Sequence, residues 1–179
     1  VLFKEHLDKF SDDDERILVF SDCYDAVISC SPSQILSKFR EIQKNTGCDV
    51  LFSSEALIWP DSSLEPRFPN QSTPYKYLNS GGFMGSIKSL KLLTKTAIKS
   101  SDDDQLYYQL EYLKSVEGNH ELKIILDAKA QIHGHLPCGR GTRAFLQTSA
   151  RSIEVAALRW FETPLRPPSG FGDLQVEIS

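Results

Sequence analysis

The stretch Arg16-Ile-Leu-Val-Phe-Ser-Asp22-Cys-Tyr-Asp25 constrains the fold more than any other part of this chain. Four consecutive apolar residues, Ile17 to Phe20, predict a short strand buried on both faces, the kind found in parallel sheets. The run then ends in two acids three residues apart. Like charges brought together in a partly buried place repel one another, and a divalent cation relieves the repulsion. Asp22 and Asp25, at the carboxyl end of such a strand, fall where open α/β folds bind ligands. Hard oxygen donors of this kind suit Mg²⁺ or Mn²⁺ holding a phosphate-bearing substrate. The competing reading makes Asp22 a cap for the next turn and leaves Asp25 solvated. This segment alone leaves both readings open.

At 179 residues the chain is long enough for one domain with a sizeable core. A formal charge of −4 argues against a general binder of nucleic acid or anionic membrane. The sequence has no apolar run near the ~20 residues that span a bilayer. It opens Val1-Leu-Phe-Lys-Glu without a basic-then-apolar leader, so no signal peptide is expected here. Cys23, Cys30, Cys48 and Cys138 lack the spacing of a zinc site and leave the redox compartment open.

Elements alternate in an α/β manner. Phe3 to Phe10 resembles the end of an amphipathic helix. Ser31-Pro-Ser33 starts a helix carrying Ile35, Leu36, Phe39 and Ile42, which Asn45-Thr-Gly47 stops. Asp49 to Ser53 predicts a second strand, followed by a loop holding Pro60, Pro66, Pro69 and Pro74. Tyr77 to Gly85 predicts a third strand through a glycine-rich bend, and a helix is expected from about Ser86 to Ser100. Another helix begins at Asp102-Asp-Asp104, with Leu106, Tyr107, Leu110 and Leu113 at helical spacing. Leu122 to Asp127 predicts a last strand. After about Cys138 the texture changes: five arginines and no lysine follow, whereas every lysine precedes it. Residues 138–179 are therefore expected to form a divergent, weakly structured tail, with Ile153 to Phe161 as its one candidate amphipathic helix.

Three further segments carry chemistry. Asn79-Ser-Gly81-Gly82 offers a backbone that approaches a ligand closely and an amide for a sugar hydroxyl. Its plainer reading is a strand-to-helix turn needing positive φ at a glycine. Asp102-Asp103-Asp104-Gln105 places carboxylates against the positive end of a helix dipole, or simply caps the helix. Glu55 and Trp59 could present an acid and an aromatic platform for a sugar ring, although Trp59 is by default a half-buried packing residue.

Taken in order, Asp22-x-x-Asp25, Phe52-Ser-x-Glu55-x-x-x-Trp59-Pro60, Leu78-Asn-Ser-Gly-Gly-Phe83 and Asp103-Asp-Gln-Leu-Tyr-Tyr108 resemble the glycosyltransferase domain of the procollagen lysyl hydroxylases. The resemblance runs from near Val1 to about Ile132. It implies an α/β fold of the GT-A type, a Rossmann-like nucleotide-sugar transferase sandwich, incomplete at both ends and occupying residues 1–137. By resemblance, Asp22 and Asp25 bind Mn²⁺ and through it the diphosphate of a UDP-sugar, and Asp103 and Asp104 are acids required for transfer. Glu55, Trp59, Asn79, Gly81, Gly82 and Gln105 then line the donor and acceptor sugars. The implied reaction moves glucose from a UDP-sugar onto galactosyl-hydroxylysine of a collagen-like polypeptide in the endoplasmic reticulum lumen.

The departures from the family pattern bear on activity. The family's domain begins earlier, with a uridine-holding strand and loop, and continues to a His-Gly-Asn-Gly segment whose histidine completes the metal site. Ile132-His133-Gly134-His135 mimics that segment but arrives too soon after Asp127, so His133 is expected not to be a ligand. The alternative function is accordingly a non-catalytic, truncated or spliced relative without a complete nucleotide and metal site. The oligomeric state is not legible.

Overall fold

The computed structural model describes residues 2–22, 30–96 and 102–132, together with the backbone of a strand at 153–156. Asp25 and His133 lie outside the described residues. The strands are β1 (Ile17–Ser21), β2 (Val50–Glu55), β3 (Tyr77–Ser86), β4 (Ile124–Leu126) and β5 (Ile153–Ala156), and they form one sheet in the order β4-β2-β3-β1-β5. The helices are α1 (Leu2–Leu7), α2 (Pro32–Thr46), α3 (Ile87–Leu93) and α4 (Asp104–Val116), with a 3₁₀ turn at Ser62–Arg67 in the Pro-rich loop.

Strand β1 is buried on both faces as its composition predicts, because its alternating side chains enter two separate cores. Ile17 and Val19 meet Phe39 of α2, Leu51 and Met84 on one side. Leu18 and Phe20 join Phe3, Leu7, Phe52, Phe83, Ile87 and Tyr108 on the other. The sheet is nevertheless mixed. β3 runs antiparallel to both β1 and β2, while β4 pairs parallel to β2 and β5 parallel to β1. Two-sided burial requires only that helices cover both faces, which they do here without an all-parallel order.

Local signals set the helix ends. Ser31 and Gln34 form a reciprocal cap, Ser31 N donating to Gln34 Oε1 at 2.8 Å and Gln34 N to Ser31 Oγ at 3.3 Å. Pro32 opens α2 and Gly47, at φ 72°, closes it. α3 is shorter than the expected helix to Ser100. It closes at Thr94, whose Oγ1 bonds back to Leu90 O at 2.9 Å; residues 97–101 lie outside the described residues. The deep face of α4 carries Tyr108, Tyr112 and Leu113 together with Gln109, whereas Leu106, Tyr107 and Leu110 pack only partly buried. The expected helix across Ile153 to Phe161 is corrected in part, since Ile153–Ala156 lies extended along β1.

Since β3 opposes both β1 and β2, those two strands point the same way, and β4 and β5 follow them. The carboxyl ends of β1, β2 and β4 therefore share one edge of the sheet with the first half of β3.

Candidate active site

At that edge β3 departs from regular pairing. Phe83 lies opposite Phe52, yet the next β2 residue, Ser53, lies opposite Asn79, so Ser80, Gly81 and Gly82 form an excursion with no β2 partner. They turn to β1 instead: Gly82 is opposite Ser21, and Asp22 N donates to Gly81 O at 2.9 Å. Irregularities of this sort re-aim side chains next to functional sites. The glycine-rich motif is thus a bulge within a strand and not the strand-to-helix turn of its plainer reading.

Gly81 does not adopt the left-handed backbone. Its missing side chain matters for a different reason. A Cβ there would lie 2.8 Å from Asp22 Oδ2 and 3.0 Å from Asn79 Oδ1. Two hard oxygens therefore flank the same small volume above Gly81, and only glycine leaves it open. Asn79 Oδ1 accepts from Gly81 N at 2.9 Å and from Ser53 Oγ at 3.1 Å. Its Nδ2 makes no hydrogen bond among the described residues and is the end of the amide that can serve a ligand.

The start of α4 meets this bulge. Asp103 caps the helix through Oδ1, accepting from Leu106 N at 2.9 Å. Asp104, one residue on, has its carboxyl pushed above the ordinary aspartate range, by burial first and then by the neighbouring Asp103 charge, while a hydrogen bond with Ser80 opposes the rise. The Tyr108 phenol is pushed up as well, by burial and by Asp104. Gln105 ties three segments together. Its Nε2 donates to Glu55 Oε1 and to Trp59 O, each at 2.8 Å, and its Oε1 accepts from Ser80 N at 3.3 Å. Trp59, joined to Pro60 by a cis peptide, is 65% exposed, so it is not the half-buried packing residue of its default reading.

Asp22, Glu55, Asn79, Gly81, Gly82, Asp104 and Gln105 are linked across one edge, with Asp103 at the adjoining helix cap and the Trp59 main chain held beside Glu55. Three contributors escape a reading of the sequence: Ser53, Ser80 and Gln109. Serines carry no motif of their own, and a glutamine within a helix ordinarily reads as solvent-facing.

A cation at this edge is tested by the donor set. Asp22 supplies a carboxylate beside the small volume that a Cβ on Gly81 would fill, a donor type that fits a hard divalent ion. Among the described residues no cluster of three His, Cys, Asp or Glu residues forms a metal cage.

Acids, amides and a close-approaching backbone gather at the carboxyl edge of the sheet of this α/β domain, the place where open α/β sheets bind ligands. The chain belongs to the glycosyltransferase-domain family of the procollagen lysyl hydroxylases: the family model described as PLOD GT domain matches residues 1–161. It is 35% identical over 135 residues to the multifunctional procollagen lysine hydroxylase and glycosyltransferase LH3 of Rattus norvegicus, covering 74% of this chain and 17% of that one. It is 36% identical over 136 residues to procollagen-lysine,2-oxoglutarate 5-dioxygenase 1 of Bos taurus, covering 75% and 18%. An uncharacterised protein of Acanthamoeba polyphaga mimivirus is 38% identical over 119 residues, covering 66% and 24%. The matched region spans less than a quarter of the length of each of these relatives.

Proposed function

We propose that this domain transfers a hexose, glucose in the first instance, from a UDP-sugar to galactosyl-hydroxylysine in collagen-like chains, with Mn²⁺ held by Asp22 and Asp25. The observation that carries the reading is the meeting of Asp22, Asn79 and Asp104 around the Gly81 bulge. A cation there would supply Lewis acidity toward the leaving diphosphate. The chain's own groups do the rest. Asn79 Nδ2 donates to a sugar hydroxyl, and Gly81 and Gly82 let the sugar approach the backbone. Asp104 accepts a hydrogen bond from the acceptor hydroxyl and orients it toward the anomeric carbon. Asp103 fixes the helix start that carries Asp104. Glu55 and the exposed Trp59 ring form the acceptor side, where the ring offers its face to a sugar. Such chemistry on procollagen belongs in the endoplasmic reticulum lumen, and no described helix is long and apolar enough to cross a membrane.

Titration calorimetry with UDP tests the reading directly. Micromolar binding is expected with Mn²⁺ and none with chelator, accompanied by glucose transfer to a galactosyl-hydroxylysine peptide. Absence of heat in both conditions overturns it.

Gly81→Ala is a sharper probe. The added methyl meets the ends of two polar side chains, so folding is expected to weaken by only about 1 kcal/mol. Mn²⁺-dependent UDP affinity should fall on the order of 10-fold as Asp22 is displaced. A urea melt and the same titration separate the two effects.

A further inference from the structure

The Trp59 carbonyl oxygen receives two side-chain amides from successive turns of α4: Gln105 Nε2 at 2.8 Å and Gln109 Nε2 at 2.7 Å. Gln109 also donates to Leu78 O in β3 at 3.2 Å. It is fully buried, and its Oε1 has no hydrogen-bond partner. A buried amide oxygen left without a partner costs stability, and an apolar side chain of similar shape would avoid that cost. What the glutamine provides is its pair of N–H groups. They clamp the main chain of an exposed tryptophan to the helix whose first turn bears Asp104 and to the strand that begins the Gly81 bulge.

We propose that Gln109 is a positioning residue for acceptor recognition, holding the Trp59 main chain so that the exposed ring stands in a fixed place beside Glu55 and the start of α4. This deepens the glycosyltransferase reading and rests on it. Gln109 touches no reacting atom. It acts through Trp59, and Gln105 shares the task while joining the same loop to Glu55 and Ser80.

The test uses Gln109→Met, which keeps shape and removes both donors, in the full chain carrying 5-fluorotryptophan and Trp160→Phe so that Trp59 alone reports. Fluorine NMR is expected to show one sharp Trp59 resonance in the parent and a shifted or broadened one in the variant. Acceptor KM should rise on the order of 10-fold with kcat within about two-fold, and this rise should vanish in a Trp59→Ala background, as a double-mutant cycle requires of coupled residues. Should Gln109→Met not fold, Gln109→Asn, which keeps an amide on an arm too short to hold both carbonyls, is read in the same way. An unchanged Trp59 resonance overturns the proposal, as does a KM rise that persists without the Trp59 ring. If Trp59→Ala leaves acceptor KM unaltered while the resonance still shifts in Gln109→Met, the failure belongs to the acceptor role of Trp59 and not to the clamp.

Discussion

Alanine at position 22 is expected to abolish Mn²⁺-dependent UDP binding on the micromolar scale, lowering affinity on the order of 100-fold or more. The backbone at this position is fixed independently of the side chain, because Asp22 N donates to Gly81 O at the end of β1. Truncating the carboxylate therefore leaves this backbone bond at the strand end in place. What is lost is a hard oxygen beside the volume that Gly81 keeps open. Asp22→Asn retains an oxygen without the charge and should fall between alanine and the parent. Asp25→Ala is expected to match Asp22→Ala, and the double variant to be no worse than either single one, since residues that hold one ion act as a unit. Calorimetry with and without chelator reads all four chains. Metal-dependent binding that survives intact in Asp22→Ala removes the carboxylate from the role assigned to it.

Much of this architecture is legible in the sequence, for reasons that vary by element. β1 announces itself because a continuous apolar run can be satisfied only by cores on both faces, and α2 because a reciprocal cap, a proline and a closing glycine all agree. The buried face of α4 is harder to read. Tyrosines count as ambivalent in a periodic pattern, and Gln109 sits fully buried because two carbonyls await its amide, a need set by residues 31 and 50 positions away. The glycine-rich bend inside β3 is legible from its glycines. What escapes the sequence is its reason at Gly81, a steric requirement that comes from Asp22, nearly sixty residues earlier. For Ile153–Ala156 the pairing with β1 decides between helix and strand, and a window on the local sequence contains no trace of that edge.

The same asymmetry governs Asp104, where local sequence supplies the acid and tertiary structure changes its character. Asp104→Asn is expected to move stability and activity in opposite directions. Burial, reinforced by Asp103, raises the carboxyl above its ordinary value. Between the ordinary value and the raised one, the folded chain holds a proton that the unfolded chain releases. Stability linked to this group is thus fully present at pH below the ordinary aspartate value, declines as pH rises through the window, and is flat above it. At neutral pH the fold carries an anion in a place that disfavours it. Asparagine removes that charge at nearly the same volume, so the unfolding temperature at pH 7 should rise, and the gain should shrink as pH falls through the window. Transfer should meanwhile fall on the order of 100- to 1,000-fold in kcat, as expected when a preorganised charge at the reacting centre is lost. Differential scanning calorimetry across pH and a transfer assay on one preparation measure both. If Asp104 serves transfer as proposed, the stability it costs is offset by function. An Asp104→Asn chain that melts lower at pH 7 and transfers sugar normally would show that the acid serves the fold alone.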